Sequence, residues 1–145
     1  MKTLTFEITI HAPRARVWST MLGPESYKTW TAAFSEGSYY TGSWEQGARI
    51  NFLAPSGDGM TSVIAENRPN EFVSIRHLGV IENGIEDTTS EKVRVWAPAY
   101  ENYHFADVPD GCKVTVSLDT ATEWESYMLD TFPKALGLLK KMCEQ

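Results

Sequence analysis

From Trp124 to Met142 apolar side chains recur every three or four residues: Trp124, Met128, Phe132, Ala135, Leu139 and Met142. That spacing lines one face of a single long helix. Most of the chain before it reads at period two, the mark of half-buried strands. A chain that ends a run of strands with one amphipathic helix must lay that helix on one face of the sheet. The expected fold class is therefore α+β, with a long C-terminal helix packed on one face of an antiparallel sheet.

The strands can be placed. Leu4, Phe6, Ile8 and Ile10 alternate with Thr5, Glu7 and Thr9. Pro13 suits the first position of a helix, and Val17, Trp18, Met21 and Leu22 give that helix a buried side. Gly23-Pro24 ends it and opens a second short helix through Tyr27 to Trp30. Strand-like runs follow at Tyr39-Tyr40, Ala48 to Leu53, Met60 to Glu66, Glu71 to Ile81, Tyr100 to Ala106 and Lys113 to Asp119. Turn residues separate them, among them Pro55-Ser56-Gly57-Asp58-Gly59, Asn83-Gly84 and Pro109-Asp110-Gly111. Ser90 is placed to cap a short helix holding Val93 and Trp96, although a loop reads equally well there. Thr122 and Glu125 form a capping-box pattern ahead of the long helix, and Pro133 should bend it.

The 145 residues fit one domain, 1–145, without repeats or linkers. The net charge of −6 argues against nucleic acid and against an anionic membrane surface. No run approaches the roughly 20 apolar residues of a membrane span. Two cysteines, Cys112 and Cys143, with no apolar leader at the N-terminus, point to reduced thiols and a cytoplasmic setting. They cannot supply a four-ligand zinc site unaided, and the three histidines lack metal-binding spacing, so neither metal nor cofactor is expected.

With the elements in order, the chain resembles the START/Bet v-like (SRPBCC) superfamily. Within it the likeness is to bacterial single-domain proteins similar to the activator of heat-shock protein 90 ATPase. The residues that carry it are Phe6, Ala12-Pro13, Val17-Trp18, Pro24-Glu25, Trp30, Gly47 to Phe52, Gly59-Met60, Glu66 with Pro69, Tyr100 to Tyr103, Gly111 to Val116 and the helix from Trp124 to Leu139. The resemblance implies a helix-grip fold with a cavity between sheet and helix. Relatives bind lipids or hormones or cyclise polyketides, so it implies fold much more than activity. The chaperone activator carries a further N-terminal domain for which these residues leave no room.

Alternation assigns the lining of such a cavity. Ile50 and Phe52 share one strand face, as do Val73, Ile75 and His77, and again Tyr103 and Phe105. Trp124, Tyr127 and Met128 begin the long helix, and Trp30 and Phe34 follow the early helices. Converging, these faces enclose an aromatic chamber; failing that, they fill a solid core. His77 is the most suggestive polar residue, with Glu101 and Tyr103 as hydrogen-bond partners, or else a histidine satisfied at a sheet edge. Glu101 and Asp107 read either as carboxylates facing the chamber or as charges at its rim. His11 and His104 read as exposed. No Gly-x-Ser-x-Gly elbow or phosphate loop is present.

The first expectation is a protein that binds a small apolar or amphipathic molecule and performs no chemistry of its own. The alternatives are a cyclase- or hydrolase-like enzyme using His77, Glu101 and Tyr103, and an interaction module for a chaperone or another protein. A homodimer through the outer sheet face is compatible with either.

Overall fold

The computed structural model describes residues 1–145. Strand β1 (Lys2–Ile10) leads into helices α1 (Arg14–Leu22) and α2 (Pro24–Trp30), then a 3-10 turn at Thr31–Ala33. Strands β2 (Tyr39–Gly42), β3 (Arg49–Leu53), β4 (Gly59–Arg68), β5 (Phe72–Glu82) and β6 (Ile85–Asp87) follow. A short helix α3 (Glu91–Arg94) precedes β7 (Ala99–Val108) and β8 (Gly111–Thr120), and α4 (Glu125–Cys143) closes the chain. The strands form one eight-stranded antiparallel sheet in the order β1-β8-β7-β5-β4-β3-β2. Strand β6 pairs with the end of β5. This is the α+β arrangement that the sequence pattern implies, with the helix grip that the resemblance implies.

Period-two patterning sorts the faces as expected. Leu4, Phe6, Ile8 and Ile10 oppose Leu118, Val116, Val114 and Cys112 across β1 and β8, and all join the core. Thr5, Glu7, Thr115 and Ser117 fall on the other face. The β5–β6 hairpin is the two-residue turn promised by Asn83-Gly84: both residues have positive φ, the geometry of a type I′ turn. At Gly59 a Cβ would stand 1.9 Å from the Phe52 carbonyl oxygen, so only glycine lets β3 and β4 pair there.

Two bulges change the faces. Thr61 opposes Gly79 but Ser62 opposes His77, which makes Leu78 an extra residue on β5. Ala65 is extra on β4 in the same way. The bulge at Leu78 turns Val80, rather than Gly79, to the side of His77, where Val80 faces a cavity.

Helix α4 packs on β1, α1, α2 and the 3-10 turn, not along the middle of the sheet. Its buried residues are Thr131, Phe132, Ala135, Leu136, Leu139 and Cys143, all in the C-terminal two thirds. Phe6 stacks on Phe132 at 5.1 Å, and the Lys140 ammonium donates to the Thr9 carbonyl at 2.9 Å. The helix start is different. Residues Thr122–Trp124 form a 3-10 turn, no side chain caps either helix, and the capping box of Thr122 and Glu125 is not made. The chain enters α4 from a tight turn, so the N-terminal N–H groups do not meet Thr122 as they would in a capped helix. Pro13 likewise stands at the N-cap of α1, not inside it, and Ser90 precedes α3 without capping it through its side chain. No helix is long and apolar enough to cross a membrane.

Candidate functional site

Where the first turns of α4 pass over β4, β5 and β7 without touching down, an inner and an outer space remain. The inner one, about 250 Å³, is lined by Tyr27, Trp30, Phe34, Phe52, Tyr103 and Phe132 among others. The outer one, about 330 Å³, is lined by Val80, Trp96, Leu118, Trp124 and Tyr127 among others. Met60, His77, Glu101 and Met128 border both. The Tyr127 hydroxyl donates to the Phe34 carbonyl at 2.7 Å and ties the start of α4 to the early helices.

Aromatic contacts build the inner wall. Tyr27 meets Trp30, Tyr40 and Phe52 with ring centroids 5.6, 5.0 and 6.1 Å apart, and Phe52 lies 5.8 Å from the His77 ring. The indole of Trp30 donates to the Met21 carbonyl at 3.0 Å, which fixes that buried ring.

One polar chain crosses this apolar setting. His77 Nδ1 lies 2.7 Å from Ser62 Oγ, and His77 Nε2 lies 3.0 Å from Glu101 Oε1. The Tyr103 hydroxyl donates to the other carboxylate oxygen, Oε2. The strands supply this alignment directly, since Ser62 opposes His77 across β4 and β5, while Glu101 and Tyr103 share one face of β7. With the ring neutral, the Ser62 hydroxyl donates to Nδ1 and Nε2–H donates to Glu101. This direction gives every member a partner.

Burial alone would raise the Glu101 carboxyl, but the hydrogen bond from His77, the charge of that ring when it is protonated, and then the Tyr103 hydroxyl outweigh it and hold the group below its ordinary value. Burial first, and then the Glu101 charge, push the Tyr103 hydroxyl well above its ordinary 10.0. Tyr27 is raised for the same reasons, burial again leading. The site therefore sets an ionised carboxylate among protonated phenols.

The structure distributes the residues chosen from the sequence. Trp30, Phe34, Phe52, His77, Tyr103 and Met128 line the inner space, and His77, Trp124, Tyr127 and Met128 line the outer one. Trp124 and Tyr127 are 54% and 39% exposed and form the rim. Ile75 and Phe105 lie elsewhere in the core; Phe105 packs edge-on against Trp18 at 5.1 Å. Sequence reasoning passed over Ser62, Met60 and Tyr27. Alternation along β4 puts Met60, Ser62 and Ile64 on one side, a pattern that could have found the first two. Nothing local marks Tyr27, a buried residue that α2 carries into the lining of the inner space.

This combination of bent sheet, gripping helix and intervening space is a helix-grip fold. No protein-family model matches the chain. No curated protein matches it. Solved structures do. The solution structure of the Aha1 dimer from Colwellia psychrerythraea is 16% identical with a TM-score of 0.75, covering 99% of this chain and 97% of that one. Protein MLL2253 from Mesorhizobium loti is 13% identical with a TM-score of 0.73, covering 97% and 95%. DynU16, a protein of the dynemicin biosynthetic locus, is 12% identical with a TM-score of 0.70, and the match spans 97% of this chain but 46% of that one. The chain thus shares the Aha1-like fold.

Proposed function

We propose that this chain, acting as one unit over 1–145, binds a small apolar or amphipathic molecule between the sheet and the first turns of α4. The observation that carries this reading is the space itself: two adjoining lobes, walled by aromatic rings, with a connected group of polar side chains on the border they share. Ligand sites commonly combine apolar walls with a few placed polar groups. Each CH₂ moved from water into such walls contributes about 0.8 kcal/mol. Trp30, Phe34, Phe52, Tyr103 and Met128 supply the inner walls, Glu101 the anchor that His77 orients, and Trp124 and Tyr127 the entrance.

Met60 borders both lobes, so Met60→Trp should block the space. Native mass spectrometry of wild type mixed with a library of apolar small molecules should show a retained guest that the variant loses. Bare wild-type protein across the library would overturn the reading.

The His77–Glu101 pair at 3.0 Å also favours a second reading, a cyclase- or hydrolase-like enzyme. Its geometry is restrictive. Ser62 is fully buried and engaged with Nδ1, so it is not an accessible nucleophile, and both ring nitrogens of His77 have protein partners. Proton transfer to a substrate would fall to Glu101. Association with a second copy or with another protein, a chaperone included, is a third reading. It draws on the dimer named for the Colwellia protein.

A further inference from the structure

Resting on the binding reading above, we propose that the inner space selects apolar molecules whose polar end donates hydrogen bonds, an ammonium above all, and rejects carboxylates. Around the inner lobe the fixed charges are negative. Glu101 and Asp58 line it and no lysine or arginine side chain does; the outer lobe has Asp119 but also Met1, which carries the amino terminus, and His77 borders both. An anionic head brought here would lose its water and face Glu101, with no lysine or arginine to offset the charge and with His77 already engaged by Ser62 and Glu101.

Glu101 has acceptor capacity to spare. One oxygen accepts from His77 and the other from Tyr103, and an ionised carboxylate offers about four lone-pair sites. Its side chain keeps 20% exposure although its neighbours are buried, and that exposed part borders the space. The two donors already present hold the carboxylate in one orientation, so a guest's N–H or O–H meets a preset acceptor. The rings of Tyr27, Trp30 and Phe52 line the same lobe, and aromatic rings attract a cation that has left water. A molecule with an aromatic or short aliphatic body and a terminal amine satisfies walls and anchor together. The same body with a terminal hydroxyl satisfies them less strongly, and with a carboxylate not at all.

Three probes of nearly equal size separate the heads: 2-phenylethylamine, 2-phenylethanol and phenylacetate. Each is titrated into the full chain at neutral pH and followed by two-dimensional amide NMR. The amine should bind at least about tenfold tighter than the carboxylate, with the alcohol between. Nuclear Overhauser contacts should place the methylene beside the amine against Tyr103 and His77. Glu101→Gln should bring the three affinities together. Equal affinities in wild type, a carboxylate that binds tightest, or an amine seated away from Glu101 would overturn the selectivity and leave the binding reading standing. No saturable shift with any probe, together with no guest in the library screen, would remove the binding reading itself. Should Glu101→Gln fail to fold, the wild-type ratio and the contacts decide.

Discussion

The two ends of α4 behave as different parts of the molecule. Past Pro133 the helix buries the side chains of Ala135, Leu136, Leu139 and Cys143 almost completely against β1 and α1, with Leu138 on its outer side. Before it, Trp124, Tyr127 and Leu129 are exposed and Met128 only partly covered. Pro133 has no N–H for the Leu129 carbonyl, so the helix loses a rung between the two parts. One end is occupied by its own side chains; the other stands over an open space bordered by His77 and Glu101. A single amphipathic stripe can thus anchor a helix at one end and roof a cavity at the other. Which it does depends on how far the sheet curves away, not on the stripe.

The sharpest way to break this contrast is to cut side chains at both ends. Leu139→Ala at the filled end should cost about 2–5 kcal/mol in urea unfolding, since the hole cannot collapse freely. A loss near zero there would erase the distinction.

Alkaline titration probes the chamber end. Tyr27 and Tyr103 are held protonated in the folded chain above their ordinary 10.0. The unfolded chain ionises them near that value, so folded stability is complete below pH 10 and falls as pH rises beyond it. Each group should contribute a slope of about 1.4 kcal/mol per pH unit there. Tyr103→Phe and Tyr27→Phe should each flatten the measured slope of unfolding free energy by about that amount. Unchanged slopes would mean that water reaches these phenols.

The smallest effect belongs to the rim. Trp124→Ala should shift stability by no more than about 0.5 kcal/mol, because the ring is mostly exposed. If the guest enters past this ring, the same change should weaken binding of an apolar probe in a fluorescence titration. A large stability loss would instead make Trp124 part of the filled core.

Much of the fold was legible in the chain. Period two along β1, β7 and β8 gives their inward faces correctly, and the Phe132–Ala135–Leu139 stripe gives the buried side of α4. The pairing of His77 with Glu101 also follows from alternation, once β5 and β7 are neighbours, although Tyr103 donates to that carboxylate and not to the imidazole. The rest was hidden for definite reasons. A one-residue bulge at Leu78 reverses the alternation beyond it and brings Val80 inward. The capping pattern at Thr122 is a local preference that the turn into α4 overrides. Ser62 looked like an ordinary strand hydroxyl until its neighbour across the sheet was known.

The sequence by itself determined which residues are apolar, at what period they recur and where the chain must turn. Those are local properties, set by side-chain chemistry and backbone sterics. Only the tertiary structure decided that α4 rests on β1 and the early helices while its first turns stand clear of β4, β5 and β7. That gap depends on sheet curvature and on bulges, which sum the geometry of strands far apart in the chain, and no window of sequence contains such a sum.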